Sequence, residues 1–199
     1  GFFRSSPVAP RPDLQVTFWN YSVLKRDARG LAFHPFAAFT ANVVLLRPRS
    51  SGRVALAGAD AATPPSIVYN HLAEPEDGVT LVAGLRLLRG ILAQPALAAL
   101  RGDEIAPGAA VEGDRALQDY ARAAGNSVFH PVGTCRMGPD AQAVVDAELR
   151  VHGVAGLRVA DASVMPALVA GNTHAPTLMI AERAAQWMRA AAGIAPGGG

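Results

Sequence analysis

Cysteine and lysine are almost absent from this sequence of 199 residues, which contains one of each, Cys135 and Lys25. A single cysteine excludes an internal disulfide bond, so the fold must rest on its apolar core. The 17 arginines and 40 alanines indicate the codon bias of a GC-rich genome rather than a phosphate-binding surface. The net charge of +2 is too small to indicate a nucleic-acid partner or a membrane-surface partner.

Several functional signatures are also missing. No run of about 18 apolar residues is present, which argues against a membrane span. The sequence has neither the phosphate-binding loop of P-loop enzymes nor the nucleophile elbow of α/β-hydrolases. Its five histidines lack the spacings of a zinc site, so we expect no metal. The sequence starts at Gly1 rather than with methionine, so we expect a piece of a longer chain. It has no signal-peptide pattern. We expect a bacterial, cytoplasmic protein.

Hydrophobic residues make up 50% of the chain, enough for one large domain or two small ones. β-branched and aromatic residues predict a first strand, then a polar turn at residues 25–29, then further strands. We expect the second and third strands to form a hairpin across the turn at residues 48–52. The predicted strands are residues 14–23, 38–46, 53–56 and 66–69.

Helical periodicity begins at Pro75 and predicts helices over residues 75–100, divided at Pro95, and over residues 114–124. Pro176 suits a first helical turn and Gly193 a helix end, so a last helix is predicted over residues 177–192, before a frayed tail at 195–199. Short strand-like runs lie between these helices, at residues 144–145, 149–151 and 157–160. The order of elements predicts an α+β fold whose C-terminal part is typical of a doubly wound sheet.

Two histidines, His130 and His174, lie in turn-rich stretches with almost no charge. A histidine there can stay neutral near pH 7 and accept a proton, although a simple turn or surface role is favoured for each one taken alone. Asp161 ends a short apolar run, where it can bind a cofactor hydroxyl or cap a turn. Cys135 is a candidate nucleophile, but a small, buried, apolar role is favoured.

The last helix offers a further candidate site, because its N-terminus carries unsatisfied N–H groups and partial positive charge. An anion, or a ring that becomes anionic on reduction, would be stabilised there. Along this helix runs a stripe of small and apolar residues for which core packing is favoured over a cofactor contact. The stripe consists of Leu178, Ala181, Ala184, Ala185 and Met188.

Several motifs, taken in order, resemble the glucose–methanol–choline (GMC) flavin oxidoreductases. They are HPVGTCRMG at residues 130–138, VVD at 144–146, LRVHGV at 149–154, LRVADASVMP at 157–166 and GNTHAPT at 171–177. Upstream, RPRSSGRV at residues 47–54 and the stretch 64–72 are similar to the hairpin of the family's substrate domain. The resemblance covers most of residues 13–190, and the choline dehydrogenase-like alcohol dehydrogenases are the most similar branch.

The resemblance implies FAD as cofactor, a small alcohol as substrate and two parts of the chain. Residues 1–125 would form an antiparallel-sheet substrate domain, and residues 126–199 would return to an α/β FAD-binding domain. His130 would be the catalytic base, and His174 would assist it in the second catalytic position. Choline-type members commonly have asparagine there, which argues against choline as substrate. The expected cofactor-binding residues are Asp161, Ala162, Asn172, Pro176 and Thr177.

One departure from the family pattern concerns the FAD fingerprint G-x-G-x-x-G, which the sequence lacks. We therefore expect the C-terminal part of a longer FAD-dependent alcohol dehydrogenase or oxidase, with the N-terminal FAD-binding half missing. An orphan fragment without catalysis is the alternative. A flavin-dependent lyase ranks lower, because one fold can host different reactions. Four aromatic residues can line the substrate pocket or serve as strand and core residues, namely Trp19, Phe33, Phe36 and Phe39.

Overall fold

The computed structural model describes residues 1–27 and 30–194, with the side chains of residues 26 and 27 left out of the description. It is a mixed helix and sheet structure with seven strands and three α-helices among the described residues. The strands are β1 (Phe2–Phe3), β2 (Leu14–Trp19), β3 (Val23–Asp27), β4 (Gly30–Phe33), β5 (Thr40–Leu45), β6 (Arg53–Ala55) and β7 (Ser66–Val68). The α-helices are α1 (Pro75–Leu92), α2 (Asp114–Ala124) and α3 (His174–Ala191). The predicted tail at residues 195–199 lies outside the described residues.

The chain divides into two compact units. The first contains residues 1–51 and 70–126, and the second contains residues 52–69 and the described residues from Ser127 onward. The hairpin β6–β7 therefore belongs to the same unit as α3.

An antiparallel sheet with the order β1–β2–β5 forms the centre of the first unit. The start of β2 shows the alternation of a strand with one buried face, since Leu14 and Val16 are buried and Gln15 and Thr17 are less so. Helix α1 packs on this sheet and buries Val82 and Leu88. Gly84 faces the sheet: a Cβ at this position would lie only 2.5 Å from Cγ1 of Val43. The absent side chain allows helix and sheet to approach closely.

Two predictions about the strands are wrong. Strand β5 pairs with β2 along its whole length, while β6 pairs with β7, so residues 38–46 and 53–56 do not form a hairpin. Strand position along the chain is a local property, whereas the choice of partner depends on packing beyond it. Residues 25–27, predicted as a polar turn, lie within β3, which pairs with β4. Residues 28–29 of that predicted turn lie outside the described residues.

The predicted helices agree with the structure except at some of their ends. Helix α2 has the predicted bounds, and α1 stops at Leu92 with a separate 3₁₀ turn at Pro95–Leu97. Helix α3 begins at His174, three residues before the predicted start, and Pro176 lies in its first turn, as expected of a proline there. Gly193 ends the helix as predicted, since it has φ +68° and its N–H donates to the carbonyl of Ala190.

The second unit has an apolar core that is covered largely by chain without regular strands. The strand-like runs at residues 144–145, 149–151 and 157–160 form only isolated bridges, so the predicted strands are wrong for the described residues. Gly153 and Gly156 both have positive φ, which turns the chain before a longer ladder can form. The buried cluster is Val145, Leu149, Val164, Met165, Ile180 and Ala184. Among the described residues, no helix is long and apolar enough to cross a membrane.

Candidate active site

His130 lies in an irregular loop of the second unit, and its imidazole Nδ1 is 3.1 Å from Oγ1 of Thr173. Thr173 precedes α3 and is only 7% exposed. The two residues are 43 positions apart in the chain. His174, the first residue of α3, is exposed. Thr173 therefore joins the two candidate histidines, because its side chain contacts the first and its backbone continues into the second.

Backbone contacts hold the loop that carries His130. The N–H of Cys135 donates to Ser163 O at 3.0 Å, and the N–H of Met137 donates to Val164 O at 2.9 Å. Gly133 has φ +92°, and a Cβ there would lie 3.4 Å from Met165 O. The loop is thereby fixed to a 3₁₀ turn, Ala162–Val164, whose Val164 is fully buried.

Asp161 acts as a cap in this turn. Its Oδ1 accepts a hydrogen bond from the N–H of Ser163 at 2.8 Å, so the capping role left open by the sequence is present. The side chain is exposed. Ala162 is the first residue of this turn. Cofactor binding by these two residues stays a prediction.

The start of α3 contains the other predicted cofactor residues. Asn172 is exposed, and Pro176 and Thr177 are half-buried in the first turn. The hydroxyl of Thr177 donates to Thr173 O at 2.7 Å, and its N–H donates to the same carbonyl at 3.0 Å. Within the described residues, the N–H groups of His174 and Ala175 have no hydrogen-bond acceptor. This end of the helix thus presents free donors and the positive end of the helix dipole.

Two arginine–aspartate pairs stabilise the turns around this site, and the sequence analysis did not identify them. Both terminal nitrogens of the Arg136 guanidinium donate to Asp140, at 2.9 and 2.6 Å, which lowers the pKa of Asp140. Partial burial opposes a similar shift at Asp146, yet hydrogen bonds from Arg150 lower the pKa of that carboxyl. The spacing of four residues in each pair was the available signal.

Other candidates behave differently from the sequence expectation. Cys135 is a free thiol of intermediate burial. The prediction that the stripe along α3 packs in the core is wrong for most of its members. Ala184 is buried at 1% exposure, but Leu178 is 55% and Met188 is 49% exposed. The four aromatic candidates of the first unit are exposed rather than buried in a core, and two of them lie in strands β2 and β4: Trp19, Phe33, Phe36 and Phe39. Among the described residues, no group of three or more metal-ligating side chains occurs.

A comparison with known protein families matches a long stretch of the chain that contains this loop and the start of α3. Residues 48–181 match the family model described as GMC oxidoreductase, which includes His130, Thr173 and His174. The chain belongs to the GMC oxidoreductase family. Enzymes of this family are FAD-dependent flavoproteins. The resemblance carried by the sequence motifs is thereby confirmed.

Individual GMC relatives agree with this assignment. An alcohol dehydrogenase (acceptor) of Pseudomonas putida is 44% identical over 186 residues, covering 94% of this chain and 33% of that protein. An oxygen-dependent choline dehydrogenase of Pseudomonas fluorescens (strain Pf0-1) is 41% identical, covering 95% and 33%. The crystal structure of pyridoxine 4-oxidase from Mesorbium loti superposes with a TM-score of 0.82 at 30% identity, covering 95% of this chain and 37% of that one. The chain spans about a third of the length of these relatives.

Proposed function

We infer that this GMC chain supplies the catalytic histidines of an FAD-dependent enzyme that oxidises the CH–OH group of a small alcohol. The observation that carries this proposal is the hydrogen bond between His130 Nδ1 and the buried Thr173. With Nδ1 occupied, Nε2 is the nitrogen that can meet a substrate hydroxyl and accept its proton. When bound, the flavin supplies, at N5, the acceptor for the hydride that leaves the alcohol carbon.

His174 assists in this proposal from the first position of α3. Its exposed imidazole hydrogen-bonds the substrate oxygen as that oxygen loses its proton and gains charge. The positive end of the helix lies at the same place and favours negative charge. General base catalysis by a positioned histidine typically contributes about 10²–10⁴-fold in rate.

The donors around α3 suit a flavin. A flavin ring has carbonyl oxygens and becomes anionic on reduction, and the free N–H groups of His174 and Ala175 are donors at the positive end of a helix. We assign Asn172, Pro176 and Thr177 to the same contact region. Asp161 keeps an exposed carboxylate for a cofactor hydroxyl while its Oδ1 caps the turn, and Ala162 leaves room for a backbone approach. The residues present therefore fit the cofactor.

The proposal divides the chain by role. Residues 1–125 serve the substrate, and residues 126–199 complete an α/β FAD-binding domain, with the rest of that domain supplied by sequence outside these 199 residues. The relatives are about three times as long, which supports the part of this proposal that further sequence completes the enzyme. A bacterial cytoplasmic location stays a prediction, to be checked by cell fractionation.

Anaerobic stopped-flow measurement of flavin reduction in the full-length enzyme tests the function. We expect His130→Ala to slow reduction by alcohols by at least about 10²-fold. His152→Ala is the matched control, because His152 is exposed and its Nε2 lies 3.1 Å from the carbonyl of Gly138, outside the proposed site. Flavin reduction at the normal rate in His130→Ala would refute the assignment.

A second candidate is an orphan fragment without catalysis, favoured by the missing FAD fingerprint. The coding sequence upstream of Gly1 discriminates the two, since an open frame with a strand, G-x-G-x-x-G and a helix supports the enzyme. A purified product without flavin absorbance and without such a frame supports the fragment. Bound flavin that no alcohol reduces would instead favour a lyase on the same fold.

A further inference from the structure

Thr173 occupies the cap position of a helix without using its side chain as a cap. Threonine is favoured at this position because its oxygen usually accepts a hydrogen bond from an N–H in the first turn. Here the backbone of Thr173 is helical (φ −86°, ψ −6°) rather than extended, and no side-chain cap bond forms. Its hydroxyl is therefore available to another partner, and that partner is His130.

The backbone of Thr173 is held firmly. Its carbonyl accepts two hydrogen bonds from Thr177, one from the N–H at 3.0 Å and one from the hydroxyl at 2.7 Å. The residue is buried at 7% exposure. A hydroxyl on a buried residue whose backbone is held in this way is in a fixed place from which it can orient the imidazole that it contacts.

We propose that Thr173 is the positioning residue of the catalytic base: its Oγ1 accepts the Nδ1–H of His130 and keeps the proton on that nitrogen. This inference rests on the proposed function, in which His130 Nε2 accepts the substrate proton. Nε2 of the neutral ring then carries a lone pair and no hydrogen. Without the hydroxyl, the two neutral tautomers compete and the ring can rotate.

The reaction step balances with this assignment. The O–H bond of the alcohol breaks, its proton forms a bond to Nε2 of His130, and the electron pair stays on the alcohol oxygen. The hydride from the alcohol carbon leaves to the flavin, which is the oxidant. His130 becomes an imidazolium whose Nδ1–H still donates to Thr173, and this bond strengthens because the donor is now charged. Thr173 thus orients the ring before the transfer and stabilises its charge afterwards.

Three variants of the full-length enzyme isolate the hydroxyl. Thr173→Val keeps the shape and removes the hydroxyl, whereas Thr173→Ser keeps the hydroxyl. Thr63→Val is the matched control, because Thr63 is exposed in the same unit and has no part in the proposed site. We expect Thr173→Val to slow flavin reduction by about 10–100-fold, the effect of a misplaced catalytic group. The substrate Kd should change by less than about threefold, and Thr173→Ser should recover most of the rate.

The tautomer provides a readout that does not depend on activity. ¹⁵N NMR of histidine-labelled, substrate-free enzyme, with the His130 signal assigned by its loss in His130→Gln, should show protonated Nδ1 and bare Nε2 in the unmodified protein. Thr173→Val should give a mixture of both tautomers. A bare Nδ1 in the unmodified enzyme overturns the proposal even where a variant fails to fold. So does a Thr173→Val enzyme with normal tautomer and normal rate.

The same experiments separate this inference from the function on which it rests. If His130→Gln reduces its flavin normally, the proposed function fails and the role of Thr173 in catalysis fails with it. If His130→Gln is inactive while Thr173→Val keeps both rate and tautomer, the base assignment stands and only Thr173 is rejected. Loss of rate in Thr173→Ser as large as in Thr173→Val would indicate a packing role and also reject the proposal.

Discussion

The carboxylate of Asp77 accepts both the backbone N–H and the hydroxyl of Ser50, at 2.8 and 2.5 Å, across 27 residues of sequence. It also accepts the N–H of Arg49 at 2.8 Å, and the side chain is only 2% exposed. Asp77 lies in the first turn of α1, where the helix dipole favours an acid. One buried carboxylate thus ties the loop after β5 to the start of α1.

We expect Asp77→Ala to lower the free energy of unfolding by about 3 kcal/mol, because the substitution removes three hydrogen bonds to a buried, charged acceptor. Urea unfolding of the chain measures the change. Glu76→Ala is the control, since Glu76 contacts Arg49 only at 3.7 Å on the surface and should cost less than about 0.5 kcal/mol. Equal losses of unfolding free energy in the two variants would show that the contact between Asp77 and the loop does not stabilise the fold.

Two glycines of α1 predict opposite effects of the same substitution. Gly84→Ala places a Cβ 2.5 Å from Cγ1 of Val43 and 3.1 Å from the methyl groups of Leu14, so we expect a loss of about 1–3 kcal/mol from overpacking. Gly90→Ala meets no atom within 4 Å and should stabilise the helix by about 0.5–1 kcal/mol. Thermal unfolding of both variants checks the sign, and a stabilised Gly84→Ala would contradict the packing of α1 on the sheet.

The core under the candidate site depends on one side of α3. Ile180 is 6% exposed and belongs to the buried cluster, so Ile180→Ala should cost about 2–4 kcal/mol. Leu178→Ala on the exposed side of the same helix should cost less than about 0.5 kcal/mol. Chemical denaturation of the 199-residue chain compares them. The opposite order would mean that α3 is rotated about its axis.

The Arg136–Asp140 pair predicts a dependence of stability on pH. Hydrogen bonding to Arg136 lowers the pKa of Asp140 in the folded state, so its contribution is complete above the unfolded value of about 3.9. The contribution is lost as pH falls through the lowered folded pKa. The difference in Tm between the unmodified protein and Asp140→Asn should therefore be constant from about pH 7 to pH 5 and shrink below about pH 4. Asp103→Asn, at an exposed position, should show no such trend.

Parts of the candidate site could be proposed from sequence because their signals are local. His130 and His174 lie within the residues that match the GMC family model, and the capping role offered for Asp161 is present in the structure. The contact of Thr173 with His130 could not be predicted in this way, because the two residues are 43 positions apart. The local pattern predicts a helix start at Thr177. In the structure Thr177 already donates two hydrogen bonds to the carbonyl of Thr173, and the helix begins at His174.

By itself, the sequence determined which segments become helices and which family the chain resembles. Helix α2 has its predicted bounds because periodicity and end signals lie within the helix itself. Only the tertiary structure decided that β5 pairs with β2, that the runs after residue 144 form bridges instead of strands, and that Thr173 meets His130. These contacts join distant segments, and each is chosen by the packing of the chain around a shared core rather than by any pattern of neighbouring residues.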